Sequence, residues 1–284
     1  TKHTLMTAIT MLIMFVAVQL VTGLGALLFS NLDKLGTGYP IDQLTVSPMA
    51  TGISMLVGEG LLALGLWLWF FRFEKGVRAK SIERPELLGI FKFHKLKRDV
   101  VPVKPTWWQV LSAILGVLMM AIALSQDLTT LGMNNDADMA LFQGMLGNPL
   151  CWLLLCIVGP VCEELVFRVG IVRTLYRHKV PGWAAAAIGA LAFALVHGNV
   201  TQGIPAFIIG VVLGLYYLRS GNLRLCLPAH IANNTLAVVL MALGQDDAPA
   251  SWWSITIRVV VALLLVAGAL MPLHRTGKAA QAAA

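Results

Sequence analysis

The sequence predicts an all-α membrane protein, a polytopic bundle of about eight transmembrane helices. Three observations predict it. Of 284 residues, 58% are hydrophobic and only 12% charged, too little polar surface to cover a water-soluble globule of this size. The apolar residues fall in eight continuous runs rich in Leu, Ala and Gly, without the period-two alternation of a membrane barrel, so helices must satisfy the backbone inside lipid. The basic residues gather between alternate runs, as topology demands.

The runs are 5–29, 53–71, 107–124, 150–172, 183–197, 204–218, 225–243 and 252–273. A span needs roughly 20 apolar residues, so the chain reads as a single transmembrane domain over 1–284. The first run follows Lys2 but lacks a clear small-residue cleavage site, and a retained helix is expected rather than a leader. The fifth and sixth runs are short. Trp107 with Trp108, and Trp252 with Trp253, open the third and eighth runs, where an aromatic belt belongs. The Ala-rich tail after Lys278 is set aside.

With the N-terminus cytoplasmic, the inside segments hold Lys2, ten Lys/Arg from Arg72 to Lys104, then Arg173, Arg177, Lys179, Arg219, Arg224, Arg275 and Lys278. That is 18 of the 21 basic residues. Lys34 lies outside, and Arg168 and Arg258 sit within helices. Both termini are therefore expected on the cytoplasmic side of what reads as a prokaryotic inner membrane. The net charge of +7 is explained by headgroups and topology, and no nucleic-acid partner is expected. Segment 72–106 is a cytoplasmic basic loop, and Leu88, Ile90, Phe91 and Phe93 among its charges suit an interfacial amphipathic helix. The four cysteines show no CxxC pair or metal spacing and are expected to be free buried thiols.

Ionisable groups within membrane helices cost about 2.5 to 3.5 kcal/mol each even on the lenient insertion scale, which makes them functional candidates. They are Glu59 in the second run, Glu163, Glu164 and Arg168 in the fourth, His197 closing the fifth, and His230 with Asn233 and Asn234 in the seventh. Glu164 and Arg168 stand four apart with the acid first, the favourable order for an ion pair. Glu163 points about 100° away and must find its partner on another helix. Counting about 1.5 Å per residue from the cytoplasmic ends puts Glu163 roughly 14 Å deep, His197 roughly 21 Å, Asn234 roughly 15 Å and His230 roughly 8 Å, which allows one site near the midplane.

Three patterns gather these residues: EELVFR from Glu163 to Arg168, FALVH from Phe193 to His197, and HIANN from His230 to Asn234. As EExxxR, FxxxH and HxxxN, in that order and each in its own run, they resemble the CPBP (CAAX-protease and bacteriocin-processing, or Abi) family, which includes the Rce1-type prenyl-protein endopeptidases. The resemblance covers about 161–234, with 150–243 as the catalytic core, and leaves the first three runs unmatched. It implies a membrane-embedded protease acting on a peptide or lipidated protein among membrane lipids. By position, Glu163 and His197 would activate a water, His230 and Asn234 would stabilise the oxyanion, and Glu164 with Arg168 would give structural support. A base, a group to orient it and donors aimed at developing charge are what a poorly hydrated hydrolytic site needs.

Glu163, His197 and His230 are also candidate metal ligands, a three-donor set with an open position for zinc, although HExxH is absent. Zinc and metal-free activation of water stand equally open as the cofactor question. Each residue has a plainer reading. Glu163 alone would be a polar clamp between helices, Glu59 in GEG would pair with a cation such as Arg258, and Gly159–Pro160 would simply bend a helix. Cys162 as a nucleophile is disfavoured by its apolar helix. Two other function classes use the same residues: a non-enzymatic scaffold or bacteriocin-immunity protein of the same fold, and an ion-coupled transporter, for which paired discontinuous helices are missing.

Overall fold

The structure is a computed structural model in which residues 2–37, 39–40, 43–73, 99–130, 136–244 and 251–271 are described. Among these residues the regular structure is helical throughout. The eight apolar runs become α1 (Lys2–Ser30), α2 (Pro48–Trp67, continued by a wide turn Leu68–Phe73), α3 (Trp107–Thr130), α5 (Pro149–Arg177), α6 (Gly182–Leu195), α7 (Val200–Ser220), α8 (Cys226–Ala242) and α9 (Trp252–Ala269). An additional short helix, α4 (Asp136–Met145), occupies what reads in the sequence as a loop. Six of these helices are long and apolar enough to cross a membrane, and α6 and α8 are shorter apolar helices beside them.

The sixth run is not short. Asn199 accepts a hydrogen bond from the Gln202 N–H at 2.7 Å, and this cap starts α7 ahead of the polar residues and Pro205 that mask its beginning in the sequence. The fourth run also extends further, because Arg173 and Arg177 form the last turn of α5 instead of a loop. Asp99 holds them there, 3.2 Å from Arg173 Nε and 2.6 Å from Arg177 Nη2. Val103 N–H donates to Ser220 O at 2.7 Å, and Asn222 donates to Val103 O at 2.8 Å. The tail of the basic loop is thus strapped across the ends of α5 and α7. The amphipathic segment expected around 88–93 lies outside the described residues.

α1 packs on α2 and α5, α6 is sandwiched by α5 and α7, and α3 lies against α9, α8 and α7. The α6–α7 contact is close because Gly210 and Gly214 face Ala190 and Ala186. A Cβ at either glycine would come within 3.0 Å of the alanine methyl. Phe15, Phe167 and Phe193 meet edge to face, at 5.4 and 5.1 Å between centroids, and tie α1, α5 and α6 together.

α5 is not a uniform helix. A regular stretch, Gly159–Glu163, is bracketed by wider turns at Leu154–Val158 and Glu164–Val172. Pro160 explains the first, since it has no N–H to continue the regular ladder. The Gly159 N–H bonds to Leu154 O, so neither it nor Pro160 is left for Leu155 O. That orphaned carbonyl is satisfied from another helix, by Asn234 Nδ2 of α8 at 3.2 Å. Gly159–Pro160 therefore does more than bend the helix: it creates the acceptor that docks α8.

Candidate active site

Glu163 ends the regular stretch of α5 and Glu164 begins the wider one. A wider helix rotates by less than the usual angle per residue, which helps two consecutive carboxylates reach one partner. That partner is His230 of α8. Its Nδ1 is 2.8 Å from Glu164 Oε1, and its Nε2 is 3.3 Å from Glu163 Oε2. Arg168 Nη1 lies 3.3 Å from the same Glu164 oxygen, the four-residue ion pair expected from the sequence. Because Arg168 keeps that oxygen an acceptor, Nδ1 donates in the His230–Glu164 bond. Glu164 thus does more than brace α5, since it also fixes the orientation of His230.

Burial separates the two carboxylates. The Glu164 side chain is 0% exposed and Glu163 19%, so of the pair only Glu163 is open to a reactant. Arg168 is fully buried, with its guanidinium 4.8 Å over the Phe193 ring.

His197 lies just beyond the end of α6. Its Nδ1 is 2.8 Å from Phe193 O, and since a carbonyl only accepts, Nδ1 carries a proton, which in the neutral ring leaves the lone pair on Nε2. Phe193 meets both histidines edge-on, 4.8 Å from His197 and 5.7 Å from His230. It is the site residue that reasoning on charge overlooks. The four-residue spacing of FALVH, which places Phe193 and His197 on one face, was the available signal.

Asn234 spends an amide hydrogen on Leu155 O and accepts from Asn233 Nδ2 at 3.3 Å, so both asparagines belong to one chain of bonds linking α8 to α5. Glu59 takes a hydrogen bond from Gln19 Nε2 of α1 at 2.7 Å, which replaces the expected cation such as Arg258. Cys162 is fully buried, out of reach of a reactant, and the other three cysteines are likewise free and buried.

The Nδ1 of His197 bonds Phe193 O and the Nδ1 of His230 bonds Glu164, the outer contacts that orient an imidazole whose Nε2 faces a site. Among the described residues no three His, Cys, Asp or Glu side chains group as metal ligands.

Residues 145–236 match the model of the type II CAAX prenyl endopeptidase Rce1-like family. Over these residues the chain is similar to that family. The matched segment runs from the end of α4 into α8 and takes in Glu163, Glu164, Arg168, Phe193, His197, His230 and Asn234, while α1, α2, α3 and α9 lie outside it. A Bacillus subtilis (strain 168) protein with the name "Putative membrane peptidase YdiL" is 24% identical over 135 residues, 47% of this chain and 55% of that protein. The match thus spans about half of that relative's length. No solved structure matches the chain.

Proposed function

We propose that the chain is an intramembrane endopeptidase that hydrolyses a peptide bond of a membrane-associated peptide or a lipidated, CAAX-type protein. The observation that carries the reading is the unequal pair of glutamates on one histidine: Glu164 buried and braced by Arg168, Glu163 accessible beside His230 Nε2. The Rce1-like family supports a peptide as the substrate class.

In the proposed reaction Glu163, with the Nε2 lone pair of His197, takes a proton from water as its oxygen bonds to the scissile carbonyl carbon. A protonated His230 Nε2 and the second amide hydrogen of Asn234 donate to the oxyanion. Collapse breaks the C–N bond, and the proton held by Glu163 passes to the leaving amine. The membrane topology that accompanies this reading has both termini cytoplasmic in a prokaryotic inner membrane, by the charge partition of the loops.

The test is cleavage by purified protein of prenylated CAAX peptides and of unmodified leader peptides, with and without chelator, beside Glu163→Ala. Wild type should cleave, and Glu163→Ala should melt as wild type does while losing at least ~100-fold in rate. A fully active Glu163→Ala protein sinks the mechanism. Chelator-sensitive cleavage restored by zinc supports the metal reading. A Glu163→Ala protein that is merely less stable, with no cleavage by wild type of either substrate class, points to a scaffold.

A further inference from the structure

The Rce1-like segment does not include α2, yet α2 sends a buried carboxylate into the neighbourhood of Glu163. Glu59 is 3% exposed, and its Oε2 lies close against Gly159, 3.3 Å from where a Cβ would stand. Gly159 is one regular helical turn before Glu163. Helical side chains slant toward the N-terminus, so the side chain of Glu163 leans over the same turn that Glu59 occupies from the other side.

The local sequence supports that approach on each side. Gly159 leaves the space that Glu59 fills. Gly58 lets α1 come close, because a Cβ there would collide with Thr22 Cγ2, and one turn before Thr22 on α1 Gln19 donates to Glu59 Oε1 at 2.7 Å. GEG in α2 and GP in α5 are thus complementary halves of one contact.

We infer that Glu59 is a positioning residue for the proposed reaction: held by Gln19 over Gly159, its carboxylate confines the carboxylate of Glu163 to the side facing His230. Wherever both carboxyl groups are ionised they repel in a poorly hydrated crevice, and Glu59, anchored by Gln19, is the one that cannot yield. Glu163 is therefore kept at His230 Nε2 instead of folding back along α5. This rests on the reading of Glu163 as the base.

The test compares Glu59→Gln, Glu59→Asp and Gln19→Leu in full-length purified protein with a cleaved peptide as probe, together with thermal melting. Gln keeps the size of Glu59 and can still accept from Gln19, but it removes the charge. Glu59→Gln should lower kcat roughly 10- to 100-fold with KM within about twofold, the penalty of a misplaced base. Its melting temperature should equal or exceed that of wild type, since a repulsion is relieved. Glu59→Asp, which keeps the charge, should rank above Glu59→Gln in kcat. Gln19→Leu should show a smaller loss of the same kind, and it serves if Glu59→Gln fails to fold.

A structural clamp predicts the opposite ranking, with Gln at wild-type activity and Asp impaired, and that result overturns the inference. A melting cycle needs no substrate. Glu59→Gln and Glu163→Gln should each preserve or raise the melting temperature and be non-additive, whereas additive losses overturn the contact. Wild-type activity in Glu59→Gln beside a dead Glu163→Ala refutes the role of Glu59 alone, while activity in Glu163→Ala refutes the reading beneath it.

Discussion

Arg168→Met removes the counter-ion of a carboxylate with no exposed surface. Glu164 is 0% exposed, Arg168 is 1% exposed, and their contact is 3.3 Å. Breaking a buried pair from one side typically costs about 3–5 kcal/mol, because the remaining charge is left uncompensated in a medium that cannot solvate it. The lower end applies here for two reasons. His230 stays as a second partner of the same oxygen at 2.8 Å, and neither terminal nitrogen of Arg168 makes a well-aligned hydrogen bond, so the lost attraction is ionic rather than bidentate. Loss of the guanidinium from the face of Phe193 adds roughly 1 kcal/mol. The expected total is about 3 to 4 kcal/mol, a shift of more than ~100-fold in the folding equilibrium. Reversible unfolding in mixed detergent micelles measures it. The double variant Glu164→Gln/Arg168→Met should recover much of the loss, since no charge is then stranded. A single variant within about 1 kcal/mol of wild type, or a double variant as unstable as the sum of the singles, would refute the reasoning.

Two other substitutions test the contacts that seat the site. Asn234→Ala strands Leu155 O, which Pro160 and the wide turn leave without a backbone donor, and should destabilise by about 1–3 kcal/mol in the same unfolding assay, whereas Asn233→Ala should cost clearly less. At Asp99 burial opposes the charged carboxylate, but hydrogen bonding from Arg177 and the charges of Arg173 and Arg177 win and hold its carboxyl well below the usual carboxylate range. A depressed value means that the stabilisation is present above the unfolded carboxylate value of about 3.9 and is lost as pH falls below it. The stability gap between wild type and Asp99→Asn should therefore be flat above about pH 5 and narrow in more acidic buffer. A gap that widens on acidification would contradict the ion cluster.

Most of the helices were legible because lipid imposes a simple rule: long apolar runs must be helical. The same rule explains the misreadings. The start of α7 hides behind Thr201, Gln202 and Pro205, and it is an Asn199 cap, a local hydrogen bond, that begins it. The end of α5 contains Arg173 and Arg177, which look like a loop until Asp99, 74 residues earlier than the first of them, is placed beside them. The candidate residues were legible as a set, because EELVFR, FALVH and HIANN each keep their spacing within a separate apolar run. It was not legible as a set of bonds. The sequence allowed Glu163 a partner on some other helix, but only packing reveals that Glu163 and Glu164 take opposite nitrogens of one imidazole.

The sequence by itself determined that this chain is a helical membrane protein and which of its ionisable residues fall inside apolar runs, since hydropathy and loop charge are properties of residue types in order. It also contained the ion pair of Glu164 with Arg168, a contact between residues four apart on one helix. Tertiary structure decided the rest: that His230 joins the two glutamates, that Asn234 answers the carbonyl orphaned by Pro160, and that Glu59 meets Gln19 rather than a cation. Each of these bonds joins residues 40 or more positions apart, and which helix faces which is fixed by close approach at small residues such as Gly58, Gly159, Gly210 and Gly214. No local pattern encodes that choice, because it is a property of two surfaces meeting rather than of one sequence of side chains.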